Sequence, residues 1–279
     1  MNPIESISFF KNNIRSYVVR IPSEGVPKGL IILVHGLGEH VRRYDEELKY
    51  FSLKGYTTIA ADLTGHGRTE GRRGVWASME DHYKTIDGLM DIAISDYKGM
   101  PIVLYGHSMG ANISAGYVIQ RKLNISGLIL TGAALKTTQD LPMVLVKLVL
   151  QAPSWIRNIT ISNGLNLKYL CSDVRVIKTY KEDPLVHNKI SIGAGATILN
   201  NAVTVLRSDL QPHCPVLIMH GEDDKITLPI GSIQLFDKWN KIAKLKLWEG
   251  MMHEIQNETE KIKVWDYILT WMDTYIKFT

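Results

Sequence analysis

Apolar residues fall in short runs at regular intervals along this 279-residue chain. Leu30-Ile31-Ile32-Leu33-Val34, Thr57-Thr58-Ile59-Ala60-Ala61, Ile102-Val103-Leu104-Tyr105, Ile125 to Leu130 and Pro215-Val216-Leu217-Ile218-Met219 show no charged face. Runs of that length predict strands covered on both sides. Tyr17-Val18-Val19-Arg20-Ile21 alternates and predicts an early strand, and Leu245-Lys246-Leu247-Trp248 predicts the last one. Between them lie helix-like stretches from about Tyr44 to Leu53, Met79 to Tyr97 and Ala111 to Leu123. A final amphipathic helix is expected from Glu258 to Ile276, where Ile262, Val264, Trp265, Ile268, Leu269 and Met272 recur at helical spacing. Strand and helix in alternation predict the α/β class, with a mostly parallel central sheet and helices on both faces.

One interval breaks this rhythm. From Ala134 to Lys189 no strand and helix follow one another on the core pattern, and a structureless loop of that length does not suit a compact domain. The expectation is an inserted helical cap at 134–189 on a core formed by 1–133 and 190–279. Within it, Leu141 to Leu150 is apolar nearly all round. That stretch reads either as a helix buried between cap and core, or as an acyl-chain wall that also touches a lipid surface. In the second reading Leu145 and Leu148 contact substrate, and Lys147 sits at head-group level.

Composition narrows the classes. Hydrophobic residues make up 45% of the chain, enough for a sizeable core. The net charge of +4 is spread among interspersed acids and bases, which argues against nucleic acid as a partner. Arg72-Arg73 reads as a solvated loop pair. Cys171 and Cys214 give no disulfide framework, and Cys214 reads as a small buried hydrophobe. Met1 to Ser6 lacks a signal-peptide pattern, and no apolar run approaches the roughly 18–20 residues that cross a bilayer. The expected location is cytoplasmic, peripheral at a membrane if the cap touches lipid.

The chemistry gathers at strand ends. Gly106-His107-Ser108-Met109-Gly110 follows one apolar run and precedes a helix, the context in which G-x-S-x-G forms a sharp turn that lifts the serine above a sheet. Glycines flank it because a Cβ there would strike the neighbouring strand or helix. Two later strands also end in polar residues: Gly221-Glu222-Asp223-Asp224-Lys225, and Glu249-Gly250-Met251-Met252-His253. The order serine, acid, histidine is that of α/β-hydrolase triads. Of nine histidines, His253 alone lies C-terminal to the acidic cluster. His107 sits inside the turn and His220 ends a strand, while His82, His187 and His213 read as surface or helix-end residues. The acid is Asp223 or Asp224 on position alone. An oxyanion would need two backbone N–H donors, expected from Met109 after the nucleophile and from Leu37 in His35-Gly36-Leu37-Gly38.

These strings, with Glu39-His40, Arg43-Tyr44, Asp62 with Gly65-His66-Gly67, and Asp183-Pro184-Leu185, resemble monoacylglycerol lipases and related lysophospholipases of the α/β-hydrolase fold. The resemblance runs from about Ile21 to the C-terminus. It implies catalytic roles for Ser108, Asp224 and His253, and oxyanion-hole roles for the backbone of Leu37 and Met109. It also implies a polar network near the site at Glu39 and Arg43 that reads the glycerol end, against the alternative of a helix-start ion pair. Gln256 departs from the vertebrate pattern, where a second histidine stands. The implied function is a serine carboxylester hydrolase acting on monoacylglycerols or similar single-chain lipid esters, with no cofactor and no metal. Lysophospholipase, thioesterase or aryl-esterase activity on the same residues, and a non-hydrolytic receptor that keeps the fold, are the alternatives.

Overall fold

Each buried strand sends alternate residues into two different cores. Leu30, Ile32 and Val34 pack on one side of the sheet, and Ile31 and Leu33 on the other. This is why the runs lack a polar face. The computed structural model describes residues 4–11, 14–121, 125–138 and 141–276. Its main sheet has eight strands: β1 (Glu5–Lys11), β2 (Ile14–Ile21), β3 (Gly29–Val34), β4 (Tyr56–Ala61), β5 (Ile102–His107), β6 (Gly127–Thr131), β9 (Val216–Gly221) and β10 (Ala243–Trp248). Their order is β1-β2-β4-β3-β5-β6-β9-β10. From β4 to β10 neighbours run parallel, while β1 and β2 pair antiparallel at one edge.

Helices cover both faces. On one side lie α2 (Met79–Asp96), α3 (Met109–Gln120), α7 (Ile192–Arg207) and α8 (Pro229–Trp239). On the other lie α1 (Asp45–Leu53), after a 3-10 turn at Val41–Tyr44, and α9 (Lys261–Tyr275). Helix α2 begins in a capping box, Ser78 with Asp81, which satisfies orphan backbone donors at its first turn. Between β6 and α7 the chain forms α4 (Met143–Gln151), α5 (Ser154–Arg157), α6 (Val174–Glu182) and a small antiparallel pair, β7 (Thr160–Ser162) with β8 (Lys189–Ser191). Helix α4 lies on α7. No helix among the described residues is long and apolar enough to cross a membrane.

Both cysteines are buried free thiols, and burial pushes each up to about 12. The histidines depart more from expectation. His82 is wholly buried on α2, and His187 is half-buried, so neither is an ordinary surface residue. They belong to a chain of rings: His35–His66 centroids are 5.2 Å apart, His66–His187 5.0 Å, and Trp76 bridges His66 and His82. Burial holds His35 down at about 3 and His82 at about 4. These imidazoles are neutral when folded, whereas the unfolded chain takes up protons near 6.5. Stability is therefore present above pH 6.5 and lost as the pH falls towards 4. Each of the two contributes a slope of about 1.4 kcal/mol per pH unit across that window. Urea unfolding midpoints measured from pH 7 to 4 should fall accordingly, and His82→Leu should flatten the profile.

Candidate active site

The turn after β5 is the most constrained point of the fold. Ser108 has φ 55°, the one positive φ outside glycine among the described residues. Its N–H donates to the Thr131 carbonyl at 2.9 Å, and its own carbonyl accepts from Asn112 at 3.1 Å. A Cβ on Gly106 would come within 2.5 Å of the Gly110 carbonyl oxygen, and one on Gly110 would collide with the carbonyl oxygens of Val34 and His35. Only glycines let α3 start this close to the sheet. Helix α3 therefore begins at Met109, two residues ahead of the apolar pattern.

Ser108 Oγ stands 2.9 Å from His253 Nε2, and His253 Nδ1 stands 2.7 Å from Asp224 Oδ2. Strand β9 carries Asp224 just beyond its end, and the loop after β10 carries His253. All three side chains are buried. Asp223 is exposed and its backbone N–H is tied to the Met251 carbonyl, so Asp224 is the acid that meets the imidazole. The Asp224 carboxylate also accepts from the backbone of Ile226 (2.7 Å) and Thr227 (3.0 Å), from Thr227 Oγ1 (2.9 Å) and from His220 Nε2 (2.9 Å). Burial would raise its pKa, but the two histidines and these donors hold it well below the carboxylate range. Burial alone would lower His253, yet the adjacent carboxylate outweighs it and leaves the imidazole above its ordinary 6.5. A hydroxyl, a base and an orienting carboxylate so linked can transfer the serine proton during attack on a carbonyl.

The other expected residues separate into two groups. Leu37 and Met109 line a cavity of about 600 Å3 that opens at Ser108. Met109 is the first residue of α3, where a helix leaves backbone N–H groups unpaired. Leu145 also lines this cavity, with Leu141, Val146 and Val149. Leu148 does not; it is 58% exposed, on the solvent side of α4. Only Val146 of α4 is buried, so the helix forms a cavity wall and is not enclosed between layers.

Glu39 and Arg43 are absent from the cavity lining. Glu39 accepts from the Gly36 N–H and from Tyr44 Oη, both at 2.6 Å, and pairs with Arg43. Arg43 reaches on to Glu254 with two hydrogen bonds of 2.7 Å. Its guanidinium lies over the Tyr180 ring, 4.5 Å from the centroid. The expectation that this pair reads the glycerol end is revised: Glu39 belongs to the 36–40 loop, and Arg43 ties it to Glu254, the residue after His253. Sequence reasoning missed Glu254, whose position next to His253 was the available signal, and it missed His220 as a partner of Asp224. Gln256 is also buried outside the cavity lining. The 36–40 loop is held from a third side, by His40 Nε2 on Asp183 (2.8 Å) and by the His187 N–H on the Gly38 carbonyl (2.8 Å).

A family profile described as serine aminopeptidase, S33, matches residues 25–260. The chain belongs to that family of α/β-hydrolases. Among related proteins, this S33-family chain is 28% identical over 252 residues to a monoacylglycerol lipase of Mycolicibacterium smegmatis, covering 90% of each chain. It is 35% identical to an uncharacterized abhydrolase domain-containing protein of Dictyostelium discoideum, of which it spans only 27%. The crystal structure of Paleococcus ferrophilus monoacylglycerol lipase superposes with a TM-score of 0.83 at 30% identity, covering 93% of this chain and 98% of that one.

Arg43 is the shared ion-pair partner of two buried carboxylates, Glu39 and Glu254. Removing one partner of such a buried group costs about 3–5 kcal/mol. Arg43→Met should lower stability by that amount in urea unfolding, and the triple change Glu39→Gln, Arg43→Met, Glu254→Gln should recover part of it.

Proposed function

We propose that this hydrolase is a serine carboxylester hydrolase that cleaves monoacylglycerols or similar single-chain lipid esters. The observation that carries the reading is a serine–histidine–carboxylate line whose serine lines a mostly apolar cavity of about 600 Å3. Ser108 Oγ attacks the ester carbonyl while His253 Nε2 takes its proton. The oxygen that gains charge faces the N–H groups of Leu37 and Met109, each worth about 3–4 kcal/mol in comparable sites. The C–O bond then breaks, and the imidazolium returns its proton to the leaving alcohol. Water repeats the sequence on the acyl-serine and releases the fatty acid. Asp224 keeps the imidazole in the tautomer that points its lone pair at Ser108.

Segment 134–189 acts as a cap in this reading, with α4 and α7 supplying the acyl wall. Exposed Val144, Leu148 and Trp155 beside that wall support transient contact with a lipid surface. Two lipases among the relatives support a lipid ester as substrate. Aminopeptidase action, suggested by the family's description, would call for a carboxylate to hold the substrate ammonium. No acidic residue is found among the described residues lining the cavity.

A fluorophosphonate probe should label the wild-type protein and leave Ser108→Ala unlabelled; a folded wild type that resists labelling would support a receptor instead. Asp224→Asn should lower kcat by about 10^4, as loss of the orienting carboxylate does elsewhere, and Asp223→Asn should stay near wild type.

Acyl length should also matter. Each methylene placed in the cavity contributes about 0.8 kcal/mol before ordering costs. From acetyl to decanoyl esters kcat/KM should rise by at least about a hundredfold. A flat or falling series would remove the acyl wall from the reading.

A further inference from the structure

Asp183 lies outside the serine–histidine–carboxylate line and outside the cavity lining, yet the turn it begins meets the loop that carries Leu37. It caps the C-terminal end of α6 in extended backbone. Both of its carboxylate oxygens are engaged. Oδ1 accepts from the Leu185 N–H at 2.8 Å, and Oδ2 accepts from His40 Nε2 at 2.8 Å. His40 is buried, and its Nδ1 has no partner among the described residues. Asp183 is therefore what orients that imidazole.

The far end of the turn is pinned to the core. His187 Nδ1 accepts from the Lys189 N–H at 3.3 Å, which leaves the proton on Nε2, and Nε2 donates to the Gly65 carbonyl at 3.2 Å. The Ser191 N–H donates to the Gly74 carbonyl at 2.8 Å. The same turn meets the 36–40 loop backbone to backbone. The His187 N–H donates to the Gly38 carbonyl at 2.8 Å, and a Cβ on Gly38 (φ 78°) would come within 2.3 Å of the His187 carbonyl oxygen. Only glycine permits so close an approach.

Leu37 stands between the points held in this way. Glu39 fixes Gly36 on one side of it, His187 fixes Gly38 on the other, and Asp183 fixes His40 beyond. A peptide N–H stabilises an oxyanion when its direction is set before the charge develops. Loss of the Asp183 carboxylate frees the His40 ring and slackens the loop, while Ser108, His253 and Asp224 keep the hydrogen bonds they make to one another.

We propose that Asp183 is a positioning residue: through His40 it holds the 36–40 loop in the shape that turns the Leu37 N–H towards the oxyanion. This rests on the hydrolase reading and on Leu37 as a donor, and it ties the 134–189 segment to the chemical step. No covalent step changes. Neither Asp183 nor His40 lines the cavity, so the hold acts on the charged oxygen and not on the acyl chain. Its loss belongs in kcat and not in KM.

The test compares the full chain with Asp183→Ala, Asp183→Asn and His40→Phe. Hydrolysis of p-nitrophenyl decanoate gives kcat and KM, and the inert p-nitrophenyl decyl ether reports ground-state binding. Nonyl trifluoromethyl ketone reports the oxyanion, because its carbonyl adds reversibly to Ser108 Oγ as the proton passes to His253. Asp183→Ala should lower kcat about ten- to a hundredfold, part of what losing such a donor outright costs. It should weaken ketone binding by a similar factor and leave the Kd of the ether unchanged. Asp183→Asn keeps an acceptor oxygen for His40 and should stay within about threefold of wild type. Asp183→Ala and His40→Phe remove the same bond, so the double variant should be no slower than the slower single one. If Asp183→Ala does not fold, His40→Phe, which keeps a ring in the buried site but cannot donate, carries the comparison. An unmoved kcat in a folded variant, or equal losses of ketone and ether binding, overturns the assignment. A wild type that neither hydrolyses the ester nor binds the ketone sinks the hydrolase reading instead, so the two failures are distinguishable.

Discussion

A carboxylate removed from water must find donors on every side, and Asp224 does so within one turn. Two backbone N–H groups, a threonine hydroxyl and two imidazoles converge on it, all buried except the half-buried Ile226 N–H. Desolvation would otherwise neutralise the acid, and a neutral acid could not hold His253 in place. The parallel sheet exists, in effect, to deliver this convergence: β9 ends at the turn that carries Asp224, β10 ends at the loop that carries His253, and β5 ends at Ser108. All three leave the same edge, where an open α/β sheet places its ligands.

Much of this was legible because burial on two faces writes itself plainly into a chain. Strands β3, β4, β5, β6 and β9 were read from apolar runs, with boundaries displaced by a residue or two. Strand β1 was not read, because an edge strand needs only one covered face. Ile7 and Phe9 pack on the core and alternate with Ser6 and Ser8, which looks like any short polar segment. The 134–189 segment was recognisable as an interruption but not in its detail. Strands of three residues, β7 and β8, carry too little pattern to be seen before their partner is known.

The site divides along the same line. Ser108, Asp224 and His253 follow strand ends and could be ordered from sequence, although position alone did not choose between Asp223 and Asp224. What decides is backbone geometry, which turns one carboxyl inward and leaves the other in water. Leu148 and Val149 are adjacent, yet one faces solvent and the other the cavity, a distinction set by the rotation of α4 on α7. From sequence, Glu39 and Arg43 read as glycerol-end contacts or as a helix-start ion pair. Their true setting depends on Glu254, more than two hundred positions away, and no local pattern announces such a pairing.

That buried set of three charges has a consequence for how such chains can diverge. Arg43 touches the loop that carries Leu37, the residue beside His253 and the aromatic ring of α6. Replacing Arg43 strands two carboxylates in the interior, so drift at that position is blocked until Glu39 and Glu254 change with it. Among related chains the loss of Arg43 should thus come only with the loss of both glutamates, while the surrounding surface varies freely.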